Sequence, residues 1–325
     1  MAVSTGDNIT AAQYNGLQSR VEQVLGTGSG NFGYGNSVSS AQVSTGDSVS
    51  AAQMDDLRSD MGKCWKHQTG DNIPLRNIAA GNIIGADVTG TGVTFDENDD
   101  YTIDGSLSDG GFNDYLSKMG EVETNRFDID PGEQTVANIA TDTRTSTWNG
   151  TINCVFRAEF ASANERRHFF NAGGQLRISA AGANGSGSKS SDWATIIANP
   201  GQLQLGHNYA TITGSNNGVT LTSIGNDGLT TSYQEILSKS GTAAVYAENY
   251  WKIEARAPTT KRVEFRITFV DDDAGDQQSV PPAPFGPAVD EDVNLDVTVT
   301  FATRRATGTN ISTNGPSVTV QNTLQ

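Results

Sequence analysis

A repeat limits what this chain can fold into more than any other feature. Val3-Ser-Thr-Gly-Asp-Asn-Ile-Thr-Ala-Ala-Gln13 recurs forty residues later as Val43-Ser-Thr-Gly-Asp-Ser-Val-Ser-Ala-Ala-Gln53. The apolar positions that follow stay in register. Tyr14, Leu17, Val21, Val24 and Leu25 correspond to Met54, Leu57, Met61, Cys64 and Trp65, at the helical spacing i, i+3, i+7, i+10, i+11. Each copy therefore reads as one amphipathic helix. Thr10 with Gln13 and Ser50 with Gln53 make capping boxes, in which side chains satisfy the orphan N–H groups of the first turn. Gly26 is a C-terminal stop for the first helix. A third fragment, Gln68-Thr-Gly-Asp-Asn-Ile73, repeats only the lead-in before Pro74 and marks the exit from the pair. Two short helices bury too little surface to stand alone. Residues 1–70 are thus expected to be a docking module, with Tyr14, Leu17, Val21, Leu25, Met54, Leu57, Met61 and Trp65 turned to a neighbouring protein. The alternative is a helical hairpin packed on the chain's own β domain.

Between the helices, Gly28-Ser-Gly30-Asn-Phe-Gly33 matches the dinucleotide fingerprint in letters only. That fingerprint needs a strand before it and a helix after it, whereas a helix precedes this one and Ser, Val and Gln follow. The glycines read as loop formers.

From Pro74 the composition shifts to Ile78, Ile83 and Ile84 scattered among Gly and Asn, then to an acidic turn, Asp96-Glu-Asn-Asp-Asp100. Phe112, Tyr115, Leu116, Met119 and Val122 fit one face of a third short helix, with Asp114, Lys118 and Glu121 outward. Residues 71–145 are read as a connecting region. Past residue 146 the period becomes two. Ile152, Cys154, Phe156, Ala158 and Phe160 alternate with Asn153, Val155, Arg157 and Glu159, and Val263, Phe265, Ile267 and Phe269 alternate with Arg262, Glu264 and Arg266. Trp251, Ile253 and Ala255, and Val293 through Phe301, behave alike. Further strands are expected at 174–180, 209–213, 218–224, 244–247 and 317–321, with a short helix near Trp193 to Ile197. The fold expected is mainly β: an antiparallel, jelly-roll-like β-sandwich over 146–325, preceded by the two-helix module.

Charge narrows the partners. Lys+Arg 21 against Asp+Glu 37 leaves a formal charge of −16, which opposes phosphate backbones and anionic headgroups, so nucleic-acid binding and membrane insertion are not expected. No stretch approaches the roughly 20 apolar residues of a membrane span, and no secretory signal is read at the start. Synthesis and first folding are thus expected in the cytosol, which leaves the sequons at Asn8, Asn149 and Asn310 without meaning. Cys64 and Cys154 read as small buried hydrophobes rather than a disulfide or zinc framework.

A search for catalysis finds little. His67, His168 and His207 lie in three segments and form no H-E-x-x-H, and no nucleophile elbow or P-loop occurs. The chain is read as non-enzymatic, with no cofactor. Neither acidic cluster, Asp96–Asp100 or Asp271–Asp276, is read as a metal site. The first fails the EF-hand pattern, and the second reads as a hairpin loop in which adventitious calcium is the alternative. The densest polar and aromatic run is Glu165-Arg-Arg-His-Phe-Phe-Asn-Ala-Gly-Gly174. There Arg166, Arg167, His168 and Asn171 are a candidate glycan, anion or interface loop. The competing reading is a loop leading into a strand, with Phe169 and Phe170 in the core.

Taken together, the helix repeat, Gly33-Tyr-Gly35, His67-Gln-Thr-Gly70, Arg167-His-Phe-Phe-Asn-Ala-Gly-Gly174 and Arg305-Ala-Thr-Gly-Thr-Asn310 resemble a group of virion structural proteins of tailed phages, common in marine and cyanobacterial phage. The resemblance spans nearly the whole chain. It implies a virion component, assembled in the host cytoplasm, whose partners are other virion structural proteins and further copies of itself. A tail-associated appendage, either a fibre or a baseplate or collar adaptor, is the specific expectation, with a trimer as the first symmetry. The alternatives are a capsid-surface decoration protein, or a carbohydrate-binding sandwich that meets a host-surface glycan through Trp193, Tyr209, Tyr233 or Tyr250.

Overall fold

The computed structural model describes residues 9–77, 93–95, 101–103, 111–241, 246–273 and 291–325. Among them are five helices: α1 (Ala11–Leu25), α2 (Ala51–Thr69), α3 (Phe112–Thr124), α4 (Ala163–Asn171) and α5 (Ser188–Ala198). The strands are β1 (Val93–Phe95), β2 (Tyr101–Ile103), β3 (Gln134–Arg144), β4 (Thr151–Glu159), β5 (Gln175–Ala183), β6 (Gln202–Leu205), β7 (Ala210–Ile212), β8 (Val219–Leu221), β9 (Gln234–Ser240), β10 (Tyr250–Thr259), β11 (Arg262–Val270), β12 (Asp296–Ala306) and β13 (Ser317–Asn322). The chain divides into two compact units. The first takes residues 1–135, 167–173 and 305–314; the second takes 136–166, 174–304 and 315–325.

In the first unit both capping boxes form as the repeat predicts. Thr10 Oγ1 and Ser50 Oγ each accept the backbone N–H three residues on, at 3.3 Å, and the Gln13 and Gln53 side chains return the contact to the cap N–H. Helix α1 stops at Gly26. Helix α2 runs on to Thr69 and stops at Gly70, whose φ of +82° is left-handed backbone that glycine adopts without strain. The apolar stripes of α1, α2 and α3 face one another around a single core. A bidentate contact from Arg20 to Glu123, at 2.7 and 2.8 Å, fixes α1 to α3. The chain between the first two helices is held by their polar side chains. Asn15 exchanges two hydrogen bonds with Val43, and the buried Asp60 carboxylate accepts the N–H groups of Ser39 and Ser40.

The second unit holds a six-stranded antiparallel sheet, ordered β13-β4-β11-β10-β9-β8, and a five-stranded one, ordered β3-β12-β5-β6-β7. They stack as a sandwich: Phe301 of β12 lies 5.9 Å from both Phe156 of β4 and Phe265 of β11. The register of β4 against β11 aligns Cys154 with Ile267 and Phe156 with Phe265, so the alternation read from sequence becomes one buried face. Helix α5 packs on β5, β9 and β10, and brings Trp193 edge-on to Trp148 at 4.9 Å.

Several expectations change. The compact units do not follow boundaries at 70 and 145. The stripe of α3 is buried against α1 and α2, so α3 belongs to their unit, and β3 is part of the second unit's five-stranded sheet. The run from Glu165 to Asn171 is helix α4, not a loop. Of the strand expected at 244–247, residues 246–248 form a turn and the rest lies outside the described residues, as do Ile78, Ile83, Ile84, Asp96–Asp100 and Asn8. No described helix is long and apolar enough to cross a membrane.

Candidate functional site

The side chains expected to dock on a neighbour are core residues of their own unit. Tyr14, Leu17, Val21, Leu25, Met54, Leu57 and Met61 are all buried, packed with Tyr34, Phe112, Tyr115, Met119, Val122 and Ile311. Trp65 is partly buried, with Lys118 Nζ 5.0 Å above its ring. The physical reason is that α3 and residues 305–314 cover the stripes that the two-helix reading left bare. A sticky helix face does not survive this finding.

The segments that carry the resemblance meet in this same unit. Tyr34, from the glycine-rich loop, sits edge-on to His67 at 5.2 Å, accepts a hydrogen bond from Gln68 Nε2 at 2.7 Å and donates one to the Arg126 carbonyl at 2.9 Å. Burial pushes the Tyr34 hydroxyl well above the usual phenol range, so it stays a donor. His67 Nε2 lies 3.2 Å from the Ala172 carbonyl oxygen. Arg167 donates to the carbonyls of Thr27 and Gly28 at 2.6 and 3.1 Å, and His168 Nε2 is 3.1 Å from that of Thr27. Close approach makes the glycines necessary: a Cβ on Gly35 would fall 2.2 Å from His168 Nδ1, and one on Gly173 would fall 2.8 Å from the Phe127 carbonyl. From the C-terminal segment, Thr307 N–H donates to the Glu133 carbonyl and Arg305 donates to that of Thr313.

The candidate glycan or anion loop resolves into the same kind of wiring. Arg167 and His168 are committed to the glycine-rich loop, and Asn171 Nδ2 reaches the Gly33 carbonyl at 3.4 Å. Arg166 belongs to the second unit, where it is buried and donates to Asn226 Oδ1 at 2.8 Å and to the carbonyls of Thr259, Thr260 and Arg262. Burial lowers its pKa to about 10, which leaves it cationic at neutral pH. These four side chains hold backbone carbonyls of their own chain, the work of splints rather than of a ligand site.

Of the candidate sugar-stacking aromatics, Trp193 is fully buried, whereas Tyr209, Tyr233 and Tyr250 are half-buried. Tyr209 accepts a hydrogen bond from Gln175 at 2.7 Å. Both cysteines are free and buried, and burial pushes both thiols well up.

Two polar arrangements escaped the sequence reading. On the outer face of the six-stranded sheet, three glutamates share six cations: Glu264 holds Arg157 and Arg256 and lies 3.9 Å from Arg262, Glu254 holds Arg266 and Lys252, and Glu159 holds Arg262 and Lys261. Tyr233 lies 4.3 Å from the guanidinium carbons of both Arg256 and Arg266. The alternation of charge in Arg262, Glu264 and Arg266 was visible, but the register that sets them beside Arg157, Glu254 and Arg256 was not. The second arrangement is a buried lysine among carboxylates at the end of β11, described below.

The glutamates make the lattice sensitive to acid. Hydrogen bonds from Arg262 and Lys261 hold the Glu159 carboxyl at about 2. At Glu254 and Glu264 burial pushes upward, but the paired cations outweigh it and hold both below the usual carboxylate range. A lowered folded pKa gives stability that is present above the unfolded value and lost as pH falls through the folded one. Urea unfolding should therefore show stability declining from about pH 4.3 toward about pH 2, with a shallower slope in Glu264→Gln. Equal slopes in the two proteins would show that this carboxylate adds nothing.

Among the described residues no group of three His, Cys, Asp or Glu side chains is placed to hold a metal ion. Comparison with protein-family models, with curated proteins and with solved structures finds no match to this chain.

Proposed function

We propose that the chain is a structural subunit of a tailed-phage virion, in the tail-associated class of fibre or baseplate and collar adaptors, and that it works as a homo-oligomer. The observation that carries this reading is the convergence just described. The segments on which the resemblance rests, drawn from both ends of the chain, come together as the splints of one unit, where Tyr34, His67, Arg167 and His168 each meet a backbone carbonyl of their own chain. Motifs used in this way specify architecture, which is what a particle component needs. The attachment surface lies elsewhere than on the stripes of α1 and α2.

Strand β3 supports the oligomer. It is eleven residues long, sits at the edge of the five-stranded sheet, and none of its residues is buried. Val136 and Ile139 are 50% and 43% exposed. A long edge with bare apolar side chains and no charge from Gln134 to Thr141 invites another strand, and in a chain of charge −16 it is a stretch where like-charged copies can approach. The decisive experiment is a reconstruction of the intact particle, with the chain expected in the tail apparatus; absence from the particle would overturn the reading. For the oligomer, sedimentation of purified protein should give an assembly that Ile139→Lys shifts toward monomer. A monomeric parent, or a variant that assembles unchanged, would remove β3 from the account.

A second reading, contact with an acidic host-surface glycan, is favoured by the outer sheet face. There six cations meet three carboxylates beneath a half-buried tyrosine. Binding of a sulfated or uronate polysaccharide that Arg256→Ala and Tyr233→Ala abolish would establish it.

A further inference from the structure

Lys189, the second residue of α5, is 1% exposed. Its Nζ donates to the Glu291 carbonyl oxygen at 2.6 Å and lies 2.9 Å from Asp271 Oδ2 and 3.5 Å from Asp273 Oδ2. The Asp271 side chain has no exposure and that of Asp273 has 7%. Asn249, fully buried, accepts the backbone N–H groups of Asp272 and Asp273 at 2.9 and 3.1 Å, so the turn that carries both carboxylates is held in place. Removing an ammonium and two carboxylates from water costs more than their attraction ordinarily returns, and a buried ion pair is a poor stabiliser by itself. An amine and a carboxyl held together in a dry site are, however, the reactants of an amide.

The geometry points to an isopeptide bond between Lys189 and Asp271, formed within the folded chain. The Lys189 ammonium gives one proton to the Asp271 carboxylate, which leaves a neutral amine and a neutral acid. The Nζ lone pair attacks Cγ of Asp271, and the Cγ–O bond to the hydroxyl breaks as the Nζ–Cγ bond forms. Asp273 takes a proton from the attacking nitrogen and returns it to the departing hydroxyl, which leaves as water. The ammonium and carboxylate become one secondary amide and one water, so atoms and charge balance and no co-reactant is needed. Three features drive the step forward. Fixed neighbours react with effective concentrations on the order of 10⁵ M or more. The product replaces two buried charges with a neutral group. The lack of solvent exposure at Asp271 keeps water from reversing the reaction. Asp271 is the partner rather than Asp273 because it is nearer to Nζ and more deeply buried.

The test is the intact mass of the purified full chain. The expected mass is about 18 Da below that of the sequence, the water lost in forming one amide. Proteolytic mapping should recover a branched peptide that joins Lys189 to Asp271. Lys189→Met and Asp271→Ala should each restore the sequence mass, and Asp273→Asn should slow the loss of mass without moving the cross-link. Folded parent protein that keeps the sequence mass after prolonged incubation would overturn the proposal, whether or not the variants fold. A mass deficit that maps away from Lys189 would overturn it equally.

Discussion

Gly33→Ala is expected to unfold the first unit at denaturant concentrations where the sheets of the second still stand. At Gly33 φ is +103°, backbone that L-residues rarely adopt, and an added Cβ would lie 2.3 Å from the Thr27 carbonyl oxygen and 2.7 Å from its carbon. Neither atom belongs to a side chain that can swing away. The glycine-rich loop would have to open, carrying with it Tyr34 and its bonds to Gln68 and Arg126. The expected loss is about 2 to 4 kcal/mol. Gly30→Ala supplies the control, because its φ of +57° carries mild strain and open space surrounds its Cβ position. Its expected loss is about 1 kcal/mol or less. Hydrogen exchange by peptide should place the Gly33→Ala effect in α1, α2 and α3. Equal losses for the two glycines would mean that the loop is not the splint its contacts suggest.

A loss of similar size is expected in the second unit from Trp193→Ala. The Trp193 ring is fully buried, 4.9 Å from Trp148 and 6.2 Å from Phe269, and Phe269 stacks on Trp251 at 5.6 Å with planes 9° apart. Removing it empties the centre of this aromatic column beneath α5, for about 3 to 5 kcal/mol. Urea titration followed by tryptophan emission in a Trp65→Phe background, which leaves Trp148 and Trp251 as the emitters of the variant, would read the change. A cost under about 1 kcal/mol would mean that the site collapses around the gap and that the column is not a keystone.

What the sequence made legible follows from how directly each signal reports local geometry. The helix repeat, both capping boxes and the third helix were readable because spacing and cap chemistry act within one or two turns. Strands β4, β11 and β12 were readable because one of their faces is buried throughout. Strand β3 was not, because nothing on it is buried and no alternation arises. Strand β9 was missed because Ile236 and Leu237 are both buried side by side, where a register shift against β10 breaks the period of two. Helix α4 left a sign that went unread: Ser162 and Glu165 have capping-box spacing, and the Ser162 hydroxyl accepts the Glu165 N–H at 3.1 Å. The use made of Arg166, Arg167, His168 and Asn171 was beyond sequence reading altogether. Whether a guanidinium meets a ligand or a carbonyl 140 residues away depends on tertiary placement, and no local pattern encodes it.

The first unit borrows Ala306 and Ile311 for its core, and these are made nearly three hundred residues after α1. At a synthesis rate of roughly 5 to 20 residues per second, the helices wait roughly 15 to 60 s on the ribosome before their covering arrives. A polypeptide that ends before residue 306 lacks both of these core side chains. The core of the helical unit is therefore complete only once residue 311 has been made.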